Sequence, residues 1–418
     1  MAQLSDDCFA FGRPMMTVAE TVALITSRVL PLAETESIPL CDADRRILAR
    51  DLIASIALPP YANSAVDGYA MRGVDLPATG ERGFQVSGRI QAGSGARVTV
   101  APGEAVRIFT GAPMPAGADT VFMQEDVRLG DSGEVTLPAG LTIGANMRPV
   151  GEDVEAGAVV LKAGRRLRPQ DIALAAALGE IRVDVSRRVR VAVFSTGNEI
   201  VAAGTPRGPT QLFDSNRFML MAMLGRLGCA ITDLGILPDD RAAITDTLRK
   251  ASSAHDLILT SGGVSTGEAD FVKDAVESAG SLVFWRVAIK PGRPVAMGVI
   301  DGTPFIGLPG NPVASFVTFA YIARPAILAL SGAGRKPIVS TPVRTAFSYK
   351  KKKDRREYVR VNLRPAANGS VEAVKFPREG AGLLSSLVET DGLIELAEDV
   401  TQIQQGDIVG FIPYSSLY

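Results

Sequence analysis

The sequence predicts an α/β-plus-β protein of several domains, and three observations carry that reading. Strands and helices alternate from Val189 to Leu330. Residues 51 to 150 set short Val/Ile/Phe runs among Gly and Pro, and the chain turns strand-rich again after residue 335. Strands alternating with helices of this length imply βαβ units and a mostly parallel sheet, whereas short strands between turn residues imply small β domains. The 418 residues leave room for about three domains of roughly 150 residues each.

Apolar residues make up 46% and charged residues 21%, which fits a folded globular chain and excludes wholesale disorder. The 44 Lys and Arg balance 45 Asp and Glu, which excludes a globally basic nucleic-acid binder. Cys8, Cys41 and Cys229 are scattered without a CxxC pair, so neither a zinc site nor a redox motif is expected, and a reducing compartment is the simpler setting. Asp6, Asp7 and Glu20 fall in the first twenty residues with no apolar run, so a cytoplasmic location without a secretory signal is expected. Pro312 to Leu330 is the most apolar long stretch. Arg324 and Pro325 within it point to a buried helix, not a membrane span.

The elements follow in order. Residues 15 to 30 read as a helix with apolar positions Val18, Val22, Leu24, Ile25 and Val29. Phe84-Gln85-Val86, Val98-Thr99-Val100 and Val159-Val160-Leu161 read as short strands. Pro169 near a first turn and Gly179 after a last one bracket a helix. Val189 to Phe194 is a strand, and Asp214-Ser215-Asn216 caps a helix to about Leu227-Gly228. Strand Ile231 to Leu237, helix Asp240 to Ala251, strand Asp256 to Thr260, helix Asp270 to Ala279 and strand Leu282 to Ile289 come next. Val295 to Ile300 and Pro304 to Leu308 are short strands before the long helix from Pro312. Residues 335 to 418, with alternation over Val359 to Leu363, look like a small β barrel or sandwich. Within them, residues 344 to 360 hold Arg344, Lys350 to Lys353, Arg355, Arg356 and Arg360 against Asp354 and Glu357. That run reads as a solvated hairpin or as an anion-facing surface.

The single histidine, His255, sits just before the apolar run Leu257-Ile258-Leu259 and reads as part of a helix-to-strand connection. Chemistry here therefore falls to carboxylates, Lys/Arg, hydroxyls and backbone amides. Carboxylates select hard cations such as Mg²⁺.

The Walker and dinucleotide glycine fingerprints are absent. Instead, Thr260 to Asp270 (TSGGVSTGEAD) follows a buried strand and precedes a helix. Gly262 and Gly263 let backbone approach a ligand, and Ser261 and Ser265 supply hydroxyls. An ordinary loop capped by Asp270 is the alternative. Gly307 to Val313 (GLPGNPV) repeats the design, with Asn311 as N-cap, Pro312 at the first helical position, and Pro309 and Gly310 left over by capping alone. Arg286, Lys290 and Arg293 lie between these loops at a strand end, where a phosphate-like oxyanion is the natural guest and a solvated basic turn the alternative. Asp67, in PPYANSAVDGYA, reads as a turn former or a metal ligand. Glu199, in STGNE, adds a carboxylate at the edge where parallel sheets bind ligands.

Taken together, Pro59–Arg72 (PPYANSAVDGYAMR), Ile108–Asp119 (IFTGAPMPAGAD), Ser195–Glu199, Ser261–Asp270, Ala288–Pro294 and Gly307–Val313 closely resemble the molybdopterin molybdenumtransferase family, which includes the E domain of gephyrin. The segments span most of the chain in the family's order. The resemblance implies the last step of molybdenum cofactor synthesis: molybdate enters the dithiolene of adenylyl-molybdopterin, with Mg²⁺-dependent release of AMP. It implies an elongated homodimer whose subunit has an extended discontinuous domain (1–50 and 148–188), an inserted β domain (51–147), an α/β domain resembling the molybdopterin adenylyltransferases (189–332) and a C-terminal β domain (335–418). An adenylyltransferase delivering the substrate is the implied protein partner; nucleic acid and membrane are not.

By the same resemblance the catalytic residues fall on Asp67, Asp153, Glu199, Asp239, Asp270 and Lys290, with Glu199 and Asp270 on the metal. Thr110, Arg148, Pro309, Pro312 and Ser386 match on the substrate side. They join Ser261, Gly262, Gly263, Ser265, Arg286, Arg293, Gly310, Asn311 and Arg360. Asp67 and Thr110 would come from the other subunit. Three departures bear on anion geometry: Arg286 and Arg293 stand where lysine is common, and Ala314 where serine is common. An adenylyltransferase is the nearest alternative, opposed by the motifs at Asp67 and Asp153. A scaffold of the same fold is the other, opposed by the lack of an appended domain or long linker.

Overall fold

The computed structural model describes residues 15–94, 98–130, 133–263, 271–334, 337–366 and 369–418, and of residues 282–286 the backbone alone. The central sheet has six strands in the order Ala230–Leu237, Arg190–Thr196, Leu257–Ser261, Thr303–Leu308, Pro294–Ile300, Gly280–Arg286. The first four are parallel. Five of the six strands point one way, so the sheet is mostly parallel, as the sequence suggested, and Pro294–Ile300 alone is reversed, antiparallel to both its neighbours. The cause is local: only Asp301 and Gly302, both at positive φ, join Ile300 to Thr303. A two-residue connection makes a hairpin and cannot make a crossover. The predicted strand from Leu282 to Ile289 also divides. Gly280–Arg286 ends the central sheet, and Ile289–Lys290 joins the C-terminal one.

Helices cover both faces of the central sheet, which is why its middle strands are apolar over Val191–Phe194 and Leu257–Leu259. Val191, Val193, Leu257 and Leu259 pack towards α3 (Asn216–Leu227) and the Pro312–Leu330 helix. Ala192, Phe194 and Ile258 pack towards α4 (Arg241–Ala254) and α5 (Phe271–Ala279). Asp240 caps α4 by accepting from Ala243 N–H at 2.7 Å, and Gly228 ends α3 in the left-handed region. Ser215 makes no capping bond. Asp214 accepts instead from Arg217 N–H at 3.3 Å and from its guanidinium at 2.8 Å. Thr17 and Glu20 form a capping box on α1 (Val18–Arg28), which packs against the Pro312–Leu330 helix, and α2 (Pro169–Ala177) starts at Pro169.

Pro312–Leu330 is long and apolar enough to cross a membrane, with a mean hydropathy of 1.7, yet it is 78% buried inside the protein. It comprises α6 (Pro312–Thr318), a π segment Phe319–Ala323 and α7 (Arg324–Leu330). Arg324 N–H reaches back to Phe319 O, and Pro325, next to it, has no N–H to continue the ordinary ladder.

The chain runs out to a further six-stranded sheet and back through paired strands. Thr35–Pro39 pairs with Arg182–Ser186, Leu52–Ile53 with Val159–Leu161, and Asn63–Ser64 with Met147–Arg148. Between these last two lies the sheet that contains Gly68–Met71, Glu81–Ile90 and Glu104–Ile108, with separate apolar clusters around Phe84 and around Ile108.

At the C-terminus, Thr341–Thr345, Arg356–Pro365, Val371–Lys375, Gly392–Leu396 and Ile408–Pro413 close into a barrel. Arg356–Pro365 closes it by pairing with both Val371–Lys375 and Gly392–Leu396. The basic run is solvated only in part, at the exposed Arg344, Lys350, Lys352 and Lys353. Lys351 is buried, Arg356 bonds Glu395 and Glu398, and Arg355 bonds Glu357. His255 is structural, as its position suggested: it follows α4 and holds Ala251 O and Thr232 Oγ1 at 2.9 and 2.7 Å.

Candidate functional site

The carboxyl ends of the parallel strands carry the glycine-rich loops, and Asn216 ties two of them together. Its side-chain amide donates to Ser261 Oγ at 2.8 Å and to Gly310 O at 2.6 Å. Ser261 Oγ donates in turn to Pro309 O at 3.3 Å, and Gly262 N–H to Leu308 O at 3.0 Å. Gly263 has φ +63°, and a Cβ there would lie 2.5 Å from Thr196 Oγ1 and Val272 Cγ2, so the loop requires glycine. Ser195 Oγ and Asn216 Oδ1 are buried in this crevice without a protein partner. Buried polar atoms of this kind call for a bound group. Ser265 and Asp270 lie outside the described residues. Asn311 and Pro312 occupy the cap and first-turn positions expected of them, but Asn311 makes no capping bond. Ala381, from the C-terminal segment, accepts from Val313 N–H at 3.0 Å in its place.

Glu199 and Asp239 follow neighbouring parallel strands. Asp239 accepts from Asn198 N–H at 3.0 Å, and the Glu199 carboxylate folds back over Gly197, where a Cβ would meet it at 2.5 Å. All these donors are oxygens, a set that fits a hard cation such as Mg²⁺. Among the described residues no three of His, Cys, Asp and Glu gather to enclose a metal. Asp270, the other residue implicated, is outside that set.

Asp67 and Thr110 form a second locus. Thr110 donates to Asp67 Oδ1 from its N–H at 2.8 Å and from its hydroxyl at 2.7 Å. These bonds, the backbone one first, hold the Asp67 carboxyl below its usual range, with the charge of Arg107 assisting. The Arg107 guanidinium itself lies over the Tyr69 and Phe109 rings at 5.0 and 4.9 Å. The Asn63–Arg148 strand pair brings the segment after Pro59 against Arg148 to Asp153, and Gly151 N–H donates to Pro59 O at 3.1 Å. Arg148 is exposed and 3.6 Å from Glu152, and Asp153 is exposed.

A third locus is a cavity of about 330 Å³ between the α/β crevice and the barrel, lined by Lys290, Pro309, Asn311 and Arg360. Asp67, Thr110, Arg148, Asp153, Glu199 and Asp239 are not on its walls. Arg360 is 9% exposed, its Nε has no partner, and burial lowers its pKa. Lys290 is half-buried. Burial opposes its charge, but bonds to Glu357 at 3.0 Å and Tyr349 at 3.2 Å outweigh it and raise its pKa. The sequence thus offered Lys290 as a cation awaiting an anion, whereas the fold already pairs it with Glu357.

Sequence reasoning missed Tyr349, Lys375, Arg378 and Glu379 on the same walls. Glu357 appeared there only as a counter-charge in the basic run. Two expected residues stand elsewhere, and of a third the side chain is outside the described residues. Arg293 is exposed and off the cavity, Arg286 is described by its backbone alone, and Ser386 is fully buried with its hydroxyl on Leu383 O.

Three family models match the chain in order. They are the MoeA N-terminal region (domain I and II) over residues 16–179, a probable molybdopterin binding domain over 192–329, and the MoeA C-terminal region (domain IV) over 342–414. The molybdopterin molybdenumtransferase of Haemophilus influenzae is 37% identical over 405 residues, covering 96% of this chain and all of its own. Molybdopterin molybdenumtransferase 2 of Mycobacterium tuberculosis is 36% identical over 382 residues, covering 88% of this chain and 93% of its own. The crystal structure of the molybdopterin biosynthesis MoeA protein of Pyrococcus horikoshii superposes with a TM-score of 0.82 at 29% identity, over 96% of this chain and 100% of that one. With both ends, the middle and the overall fold matched in this way, the chain belongs to the MoeA family of molybdopterin molybdenumtransferases.

Proposed function

We propose that this chain, a transferase of molybdenum cofactor biosynthesis by family, inserts molybdate into adenylyl-molybdopterin with release of AMP. The observation that carries this reading is the cavity between crevice and barrel. Lys290, Arg360, Lys375 and Arg378 line it against two carboxylates, Glu357 and Glu379. The buried Arg360 has an unused Nε donor. A net positive wall with a free guanidinium donor suits a tetrahedral dianion, and molybdate is one.

In this reading Arg360 and Lys290 hold molybdate, and the backbone of Pro309 to Pro312 borders it. The glycine-rich loop Ser261-Gly262-Gly263, with Asn216 behind it, receives the pterin-phosphate portion, because its glycines let the backbone approach a ligand and Asn216 Oδ1 keeps no protein partner. Glu199, with Asp239 beside it, and Asp270 would hold Mg²⁺, which when bound would neutralise charge on the adenylyl phosphate. Asp67 is kept ionised by Thr110 and contributes from the second subunit of a homodimer, together with the neighbouring Arg148 and Asp153. The four-part division of the subunit at 50/51, 147/148, 188/189 and near 335 belongs to the same proposal, as do a cytoplasmic setting and delivery of substrate by an adenylyltransferase.

The test is AMP release from adenylyl-molybdopterin by the full chain, with and without molybdate. Molybdate-dependent release is expected. Adenylylation of molybdopterin from ATP, with no molybdate dependence, would establish the adenylyltransferase alternative in its place.

A further inference from the structure

Glu357 lies on the barrel strand Arg356–Pro365, 1% exposed, with both carboxylate oxygens engaged. Oε1 accepts from Arg355 at 2.7 Å, and Oε2 accepts from the Lys290 ammonium and the Tyr349 hydroxyl, each at 3.0 Å. Lys290 also donates to the Tyr349 hydroxyl at 3.2 Å. The backbone enforces this meeting. Ile289–Lys290 pairs in parallel with Arg356–Glu357, in the register Lys290 to Glu357. Beyond it, Gly292 has φ +112°, and a Cβ there would come within 2.4 Å of Thr318 Cγ2, so the turn after Lys290 is pinned against α6.

Two of the three ammonium donors of Lys290 are therefore held by the barrel, while the side chain still lines the cavity. An unrestrained lysine loses much rotamer freedom when it binds an anion. Here that ordering is complete before any ligand arrives.

We propose that Glu357 is a positioning residue of the anion site, fixing the Lys290 ammonium on the cavity wall and keeping it charged. The proposal rests on the reading of that cavity as an oxyanion site. The groups that face Lys290 come from four elements. Glu357 and Arg360 lie on the barrel strand, and Tyr349 on the short strand Tyr349–Lys350, which pairs with Gln402–Ile403. Lys375 sits across the Tyr349 ring, its Nζ 5.2 Å from the centroid against 5.8 Å for Lys290. Glu379 is ion-paired to Lys375 at 2.5 Å. Without the Glu357 charge, the half-buried ammonium is left among Arg355, Arg360 and Lys375, with Glu379 already committed to Lys375. It then gives up its proton at lower pH.

Competitive acetylation with acetic anhydride, read by mass spectrometry on the peptide containing Lys290, reports this directly, because only the unprotonated amine reacts. In the full-length Glu357→Gln protein, Lys290 is expected to react about tenfold faster at a given alkaline pH, the equivalent of roughly one pKa unit. Glu357→Asp should restore the slow reaction. Identical pH profiles for Glu357→Gln and wild type would overturn the proposal. If Glu357→Gln does not fold, Tyr349→Phe must shift the profile in the same direction by a smaller factor, and an unmoved profile there is equally fatal. Acetylation reads the ammonium whatever the cavity binds. Its failure sinks the positioning role alone, whereas molybdate binding unaffected by Lys290→Ala sinks the oxyanion reading.

Discussion

Asp67 Oδ1 accepts two bonds from one residue, Thr110, through its backbone N–H at 2.8 Å and its hydroxyl at 2.7 Å. The two residues are 43 positions apart in sequence, and the arrangement leaves an ionised carboxylate on the surface of the inserted sheet. An acid held this way is not a turn former alone, since its side chain is fixed by a partner from another strand connection. Thr110→Val removes one of the two bonds and keeps the other. The Asp67 pKa is expected to rise towards its ordinary value, seen by NMR titration of the carboxyl carbon, and AMP release is expected to weaken at acid pH first. A titration curve unchanged from wild type would remove Thr110 from this role.

The distance in sequence between Asp67 and the α/β crevice leads to the second expectation, a homodimer whose site is shared. Sedimentation should show a dimer at micromolar concentration. A stable species of 44.0 kDa would contradict it. Asp67→Asn and Lys290→Ala subunits, each impaired alone, should regain activity when exchanged into one dimer, and no recovery would place both residues in the same subunit's site.

Glycine at 263 is a steric requirement, not a tolerance. Gly263→Ala puts a methyl 2.5 Å from Thr196 Oγ1 and Val272 Cγ2 at a φ of +63°. Strain at a left-handed non-glycine position costs on the order of 1–3 kcal/mol. A lowered Tm and disturbed crevice binding are expected together. An unchanged Tm would mean the loop relaxes freely.

Asp256 accounts for part of the pH dependence of stability. Burial would raise its pKa, but bonds from Arg187, Arg190 and the Arg190 backbone hold it down at about 2. A depressed carboxyl stabilises the fold above its unfolded value near 3.8 and loses that contribution as pH falls to about 2. The shift corresponds to about 2 kcal/mol. Asp256→Asn should lower Tm at neutral pH and narrow the gap to wild type in acid. A gap that widens in acid would contradict the assignment.

Much of this was legible in the chain itself, for identifiable reasons. Helices α3, α4 and α5 announce themselves because Gly228, Asp240 and the apolar spacing are local signals, and the strand ends carry their glycines in plain view. The contacts that organise the cavity are of another kind. Lys290 and Glu357 are 67 positions apart, and Val313 is capped by Ala381 across a domain junction. No spacing rule reaches that far, so a lysine read as free proved to be paired and an asparagine read as the cap proved not to bond. The Asp301-Gly302 hairpin did carry a local signal, an Asp-Gly between two apolar runs, but the surrounding strand–helix alternation concealed it. Arg356, within the basic stretch, was hidden for the same long-range reason: its acidic partners Glu395 and Glu398 lie beyond the stretch.

The proposed reaction turns on the cavity that Lys290 and Arg360 share, and a molybdate titration at fixed adenylyl-molybdopterin tests it most directly. A charge-assisted contact is worth roughly 1.5–3 kcal/mol, and partial solvent exposure of Lys290 favours the lower end. Lys290→Ala should therefore keep the fold and the dimer while losing molybdate-dependent cofactor formation by about tenfold or more. An unchanged molybdate half-saturation together with an unchanged rate would show that the oxyanion binds elsewhere.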